Sequence, residues 1–169
     1  MSTSALQHWQ EVFGYAYSLT CDRAHAEDLC QEAYLRLFGM KRLRDGAGSL
    51  LPLLLTIVRN LVCTEARSPA AISLDDVEGA VELVDASTPT PSETALLNES
   101  REEVRAALAQ LSSSWRAVLY LRDGLGLSYR EISAVEGGSE DTVRVTLHRA
   151  RQRLRVILSR TENVERKTQ

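Results

Sequence analysis

Along most of this chain, apolar residues recur at spacings of three and four, the period of a helix with one buried face. Leu6, Trp9, Val12, Phe13, Ala16 and Tyr17 make a first stripe that ends at Leu19-Thr20-Cys21. Asp22 is placed to cap a second helix, whose stripe is Ala26, Leu29, Cys30, Ala33, Leu37 and Phe38. Gly39 ends that helix, and a short basic loop with Lys41, Arg42 and Arg44 follows. Ser49 then caps a third helix that reaches about Ala66. Pro52 falls in its first turn, where a missing N–H leaves no hydrogen bond unmade.

From Ser68 to Thr94 the helical period is lost. Three of the four prolines lie here (Pro69, Pro89 and Pro91), with many acids and small polar residues. This composition reads as a linker, with Ile72, Leu74, Val81 and Leu83 as its points of docking. Periodicity resumes at Ala95, where Leu96, Leu97, Val104, Ala107, Leu108 and Leu111 mark a fourth helix. Ser113 to Arg122 is a fifth, with Val118, Leu119 and Leu121 inward, and it closes at Gly124. The pattern predicts an all-α chain of two small helical domains: residues 1–67, a linker at 68–94, residues 95–160, and a frayed polar tail at 161–169.

The second domain ends in the most informative stretch. Ser128 and Glu131 have capping-box spacing, and the short helix they open carries Ile132 and Val135 and breaks at Gly137-Gly138. Ser139 caps a longer helix to about Leu158, with Val143, Leu147, Ala150, Leu154 and Ile157/Leu158 as its apolar stripe. A short capped helix, a glycine turn and a longer basic helix make a helix-turn-helix. The outer arc of the long helix presents Arg144, Val145, His148, Arg149, Arg151 and Arg155. Such an arc suits a major groove, with its first turns at base edges and its later arginines on phosphates. An Arg-rich helix face is more often merely solvated; the capped helix and glycine turn before it favour DNA. Glu140 and Asp141 suit a helix N-terminus but would stand near phosphates.

Charge sharpens this picture. The 169 residues carry a formal charge of −3, unevenly spread. Ten acids lie between Glu65 and Glu103 against Arg67 and Arg101, whereas Arg144 to Arg160 holds six arginines and no acid. The asymmetry, rather than the near-neutral total, bears on nucleic-acid binding. No apolar run reaches the roughly 18 residues a membrane helix needs, and the N-terminus lacks the features of a signal peptide. These point to the cytoplasm without membrane insertion. Three cysteines argue against a disulfide framework. Cys21, His25 and Cys30 lack a fourth ligand and match no zinc spacing. His8 and His148 have no partners for nucleophilic catalysis. The expectation is a protein that is not an enzyme, with no cofactor and no metal.

Several segments resemble a known family. Trp115 to Arg122, Gly126-Leu127-Ser128-Tyr129-Arg130-Glu131-Ile132, Asp141-Thr142-Val143-Arg144 and Leu147-His148-Arg149-Ala150-Arg151 are similar to region 4 of bacterial extracytoplasmic-function sigma factors. Ala26-Glu27-Asp28-Leu29-Cys30-Gln31-Glu32-Ala33-Tyr34-Leu35-Arg36-Leu37-Phe38 resembles the region 2 helix that docks on the polymerase clamp, and Leu53 to Leu61 resembles the promoter-reading helix after it. The resemblance covers nearly the whole chain, in order.

What this resemblance implies is specific. Region 2 would bind the clamp of core RNA polymerase through Glu27, Asp28, Gln31, Glu32 and Arg36. It would open the minus-ten element with Lys41, Arg42 and Arg44 in the base-capturing loop and Arg59 and Asn60 on the following helix. Region 4 would bind the beta flap and read the minus-thirty-five element with Arg144, Val145, His148 and Arg149. Tyr129, Arg130 and Thr142 would assist at the backbone, with Arg151, Arg153 and Arg155 toward phosphates. An anti-sigma factor is an implied further partner. The chain departs from the family at Leu53, where an aromatic is usual, in the charge-poor stretch after Asn60, at Ser112 in place of proline, and at Arg144-Val145-Thr146 in place of Lys-Ser-Arg. These differences bear on promoter sequence rather than fold. Two rivals remain: a stand-alone helix-turn-helix repressor, which would not need the Glu27 to Arg36 motif, and a protein-binding adaptor, which Glu140 and Asp141 would suit.

Overall fold

A computed structural model of the chain describes residues 7–39, 50–67 and 94–168, and every regular element among them is helical. Helices α1 (Trp9–Thr20), α2 (Arg23–Gly39) and α3 (Leu50–Ala66) form the first bundle. The second holds α4 (Thr94–Ala109), α5 (Ser113–Leu119), α6 (Tyr129–Glu136) and α7 (Glu140–Thr168). A π turn over Tyr120–Gly124 continues α5. The basic loop with Lys41, Arg42 and Arg44, the Ser49 cap and the proposed docking points Ile72, Leu74, Val81 and Leu83 lie outside the described residues.

Local signals explain the boundaries. Helix α1 ends where Cys21 takes a left-handed φ of 52° and donates its N–H to the Tyr17 carbonyl at 2.8 Å. The Asp22 carboxylate accepts from the His25 N–H at 2.8 Å and so caps α2. At the far end of the chain α7 runs to Thr168, past the expected stop near Leu158 and through the segment read as a tail. No glycine or proline follows Gly138 to interrupt it.

Burial follows most of the sequence pattern. In the first bundle, Val12, Ala16, Ala26, Leu29, Cys30, Ala33, Leu37, Leu54, Leu55 and Val58 are buried. Each large aliphatic side chain buried this way contributes roughly 1.5–3 kcal/mol relative to exposure. Phe38 departs from the expected stripe and is 53% exposed; Leu37 and Tyr34 fill the inward positions instead, and Tyr34 stacks on Trp9 at 5.5 Å between ring centroids. Val143, Leu147, Ala150 and Ile157 line the inner side of α7, which packs on α4, α5 and α6.

The two bundles also pack on each other. Helix α1 meets α5 and the π turn, and α3 meets α6. The buried residues of both halves form one continuous hydrophobic cluster. Tyr15 and Leu19, outside the sequence stripe of α1, are buried as well.

Candidate nucleic-acid interface

The helix-turn-helix is built by interlocking caps. The Ser128 hydroxyl accepts from the Glu131 N–H at 3.2 Å, while the Glu131 carboxylate accepts from the Ser128 N–H at 2.8 Å. The Ser128 hydroxyl also donates to the Glu131 carboxylate at 2.7 Å, and this bond, together with that from the Ser128 N–H, holds the Glu131 carboxyl below its ordinary range. Gly137 and Gly138, at φ of 80° and 90°, make the turn, a left-handed conformation that strains any residue with a side chain. The Ser139 hydroxyl accepts from the Thr142 N–H at 3.1 Å and starts α7.

With Val143, Leu147 and Ala150 turned inward, α7 exposes Thr142, Arg144, Val145, His148, Arg149, Arg153 and Arg155. The face is ordered by its neighbours. The Arg144 guanidinium donates to the Asp141 carboxylate at 2.7 Å and lies 5.4 Å from the Tyr129 ring centroid. Arg122 covers the same ring at 4.9 Å and donates to the Leu127 carbonyl at 2.6 Å. Tyr129 thus joins two arginines of different helices through cation–π contacts. Arg130 is exposed on α6. Arg151 forms a two-pronged ion pair with Asp123 of the π turn, a contact that fixes α7 to the preceding element. The acids that looked misplaced beside phosphates therefore include one, Asp141, that orients an arginine.

The first bundle presents a different surface. Asp28, Gln31 and Arg36 are exposed on α2, and Glu27 and Glu32 are half-buried. Glu27 accepts from Arg23 at 3.0 Å, and Glu32 accepts from Arg36 at 2.7 Å, each one helical turn apart. Leu35 and Phe38, 68% and 53% exposed, continue the line of Asp28 and Gln31. The sequence pattern assigned Leu35 no role and counted Phe38 with the core. Their exposure adds an apolar patch to the polar face. On α3, Asn60 is exposed, whereas Arg59 donates from Nε to the Glu136 carboxylate of α6 at 2.9 Å.

Among the described residues, no helix is long and apolar enough to cross a membrane, and no group of three or more His, Cys, Asp or Glu is placed to hold a metal ion. Burial pushes the Cys30 thiol up to about 12, with the Glu27 charge adding to the effect.

Comparison with known proteins matches this geometry. The Sigma-70 region 2 family model matches residues 5–71, and the Sigma-70, region 4 model matches residues 101–154. The chain is 34% identical over 156 residues to the ECF RNA polymerase sigma factor SigE of Mycolicibacterium smegmatis, covering 91% of this chain and 60% of that one. It is 28% identical over 161 residues to the RNA polymerase sigma factor YlaC of Bacillus subtilis, covering 95% and 92%. It is 35% identical over 156 residues to the ECF RNA polymerase sigma factor SigL of Mycobacterium tuberculosis, covering 90% and 85%. Among solved structures, the sigma factor RpoE from Bartonella quintana, crystallised with the anti-sigma factor NepR, shares the fold at a TM-score of 0.71 and 24% identity, over 94% of this chain and 96% of that one. The chain spans 60% of the Mycolicibacterium relative's length, and most of the others'. With region 2 and region 4 both present, in order and on one chain, it belongs to the extracytoplasmic-function sigma factors of the sigma-70 family.

Proposed function

We propose that this chain binds core RNA polymerase and directs promoter-specific initiation of transcription, region 4 reading the minus-thirty-five element and region 2 opening the minus-ten element. The observation that carries the assignment of roles is the outer face of α7, exposed and ordered by Asp141 and Tyr129 at the start of a helix-turn-helix. Arg144, Val145, His148 and Arg149 meet base edges, and Val145 offers an apolar contact for a thymine methyl. Thr142, Tyr129, Arg130, Arg153 and Arg155 face the sugar-phosphate backbone. Arg151 reaches a phosphate while tied to Asp123.

In region 2, Glu27, Asp28, Gln31, Glu32 and Arg36 meet the polymerase clamp, with the exposed Leu35 and Phe38 supplying apolar contact area. Lys41, Arg42, Arg44, Arg59 and Asn60 hold the melted strand. Unstacking a base costs a few kcal/mol per step, which the single-strand contacts must offset. The beta flap receives region 4. An anti-sigma factor is a further partner, a reading supported by the fold shared with a sigma factor crystallised in such a complex. The chain works in the cytoplasm, where the polymerase is, and the phosphodiester chemistry belongs to the polymerase.

Run-off transcription tests this reading. Core enzyme plus this chain is expected to start transcripts at a restricted promoter set that core enzyme alone does not use. A chain that neither co-elutes with core enzyme nor starts transcripts would overturn it.

A further inference from the structure

Acids at the start of a helix that enters a DNA groove weaken binding, because they stand close to the phosphates. Helix α7 has two in its first turn, Glu140 and Asp141. The cap of the helix comes from elsewhere: the Ser139 hydroxyl takes the Thr142 N–H at 3.1 Å, and the Ser139 carbonyl takes the Val143 N–H at 3.1 Å. The Asp141 carboxylate is turned to Arg144 instead, at 2.7 Å, with the Asp141 side chain 85% exposed and that of Arg144 59% exposed. An ion pair so open to water adds little to stability. It does stand at the end of α7 where a recognition helix meets base edges.

Geometry gives the pair a use there. Asp141 takes Nη1 of Arg144, and Arg144 Cζ lies 5.4 Å from the Tyr129 ring centroid. The first contact fixes one edge of the guanidinium and the second fixes its face. Tyr129 is covered in turn by Arg122 at 4.9 Å, whose Nη1 donates to the Leu127 carbonyl at 2.6 Å. Nε and Nη2 of Arg144 share another edge of the plane, and two such donors match guanine O6 and N7. The ionised carboxylate of Asp141 can accept further bonds beside the one from Arg144, and it has no donor. It therefore attracts an exocyclic amine and repels O6 and N7 of guanine and O4 of thymine. Cytosine presents its N4 amine alone on the major-groove edge, whereas adenine presents N6 beside the acceptor N7.

We propose that Asp141 is a specificity-determining residue of the minus-thirty-five contact. It aims Arg144 at a guanine and itself accepts from the amine of the adjacent base, taking cytosine ahead of adenine and excluding guanine and thymine. The inference rests on the sigma-factor reading above and makes one reading unit, for two neighbouring positions, of Asp141 and Arg144. The same negative charge lowers affinity for phosphate on every sequence, so Asp141 gives up general affinity for choice among sequences.

The test uses polymerase holoenzyme assembled with the full chain, as wild type, Asp141→Ala and Asp141→Asn. Each selects from duplexes randomised across the minus-thirty-five element. Affinity is then measured on the wild-type choice, on its single-base variants and on an unrelated duplex, while circular dichroism of the free chains reads helix content. Wild type is expected to choose a guanine next to a cytosine. Asp141→Ala is expected to keep its helix content, to lose about 5- to 10-fold of the preference for that cytosine, and to bind the unrelated duplex more tightly than wild type. Asp141→Asn is expected to move the preference from cytosine to adenine, because an amide both donates and accepts and matches adenine N6 and N7. A merely structural role would weaken binding on every duplex by the same factor and leave the choice of bases unchanged. That result, or relaxation confined to the guanine position, would overturn the proposal. A wild-type holoenzyme that selects no sequence would overturn the sigma-factor reading and the role of Asp141 with it, whereas three holoenzymes that select the same sequence would overturn the role of Asp141 alone.

Discussion

Asp141 and Arg144 form a pair one turn apart on α7, with Arg144 Nη1 donating to Asp141 Oδ1 at 2.7 Å. The carboxylate and the Tyr129 ring together hold the guanidinium over the start of the recognition helix. An arginine ordered in advance loses less conformational freedom on binding. Replacement of Arg144 by alanine is expected to cost about 1–3 kcal/mol at cognate minus-thirty-five sites and to relax selectivity at one base position. Competition binding against a set of single-base promoter variants measures this. An equal loss on every sequence would reassign Arg144 to the phosphate backbone.

Arg149 and Arg155 are both exposed on α7, yet they differ in assigned role. Arg155, farther along α7 from the end proposed to read bases, is the one assigned to phosphate. Arg155→Ala is expected to weaken binding about equally across sequences and to lower the salt slope by about 1. Arg149→Ala should instead discriminate among sequences. Affinity measured across a salt series on matched and mismatched duplexes separates the two. A sequence-dependent loss at Arg155 would reverse the assignment.

The interlocked Ser128 and Glu131 caps set the entry of α6. Ser128→Ala is expected to destabilise the chain by about 1 kcal/mol, read as a shift in urea midpoint at constant slope. Because the Glu131 carboxyl is held below its ordinary range, this cap is intact above the ordinary carboxylate range and weakens as pH falls through the depressed value. A Ser128→Ala chain that melts with the wild type at neutral pH would show the cap to be dispensable.

Buried and half-buried thiols and phenols, Cys30, Tyr34 and Tyr120 among them, oppose folding at alkaline pH. Burial pushes the Cys30 thiol and the Tyr34 and Tyr120 hydroxyls up to about 12, from ordinary values of 9.0 for the thiol and 10.0 for the hydroxyls. Between the ordinary and raised values the unfolded chain has released protons that the folded chain retains, so stability falls as pH rises. Stabilisation from their neutral forms is complete below about pH 9 and drains away toward pH 12. Urea melts at pH 8 and pH 10.5 are expected to show the loss, and Cys30→Ala should shrink the part that starts near pH 9. Equal stability at both pH values would contradict the account.

Sequence logic reached the helix-turn-helix because its signals are local. Ser128 and Glu131, the Gly137-Gly138 turn and the Ser139 cap each act within a few residues, and the outer face of α7 follows from which of its residues are apolar. It did not reach the joint between the halves. Tyr15 and Leu19 lie off the stripe of α1 because the second bundle covers α1 on another side, and a period read along one helix records no distant neighbour. Glu136 reads as a solvated acid at a helix end until the fold brings Tyr15 and Arg59 to it. Phe38 fails in the opposite sense: its position near the apolar stripe reads as core, while Leu37 and Tyr34 occupy the space.

The central claim is that this chain confers promoter choice on core polymerase through the outer face of α7. Run-off transcription with core enzyme, comparing wild type with Arg144→Ala on a cognate promoter and on one altered only in its minus-thirty-five element, tests it most directly. Wild type is expected to initiate on the cognate promoter and to lose activity on the altered one, with Arg144→Ala losing most of that discrimination. Transcription that is absent with wild type, or indifferent to both the minus-thirty-five change and the substitution, would contradict the account.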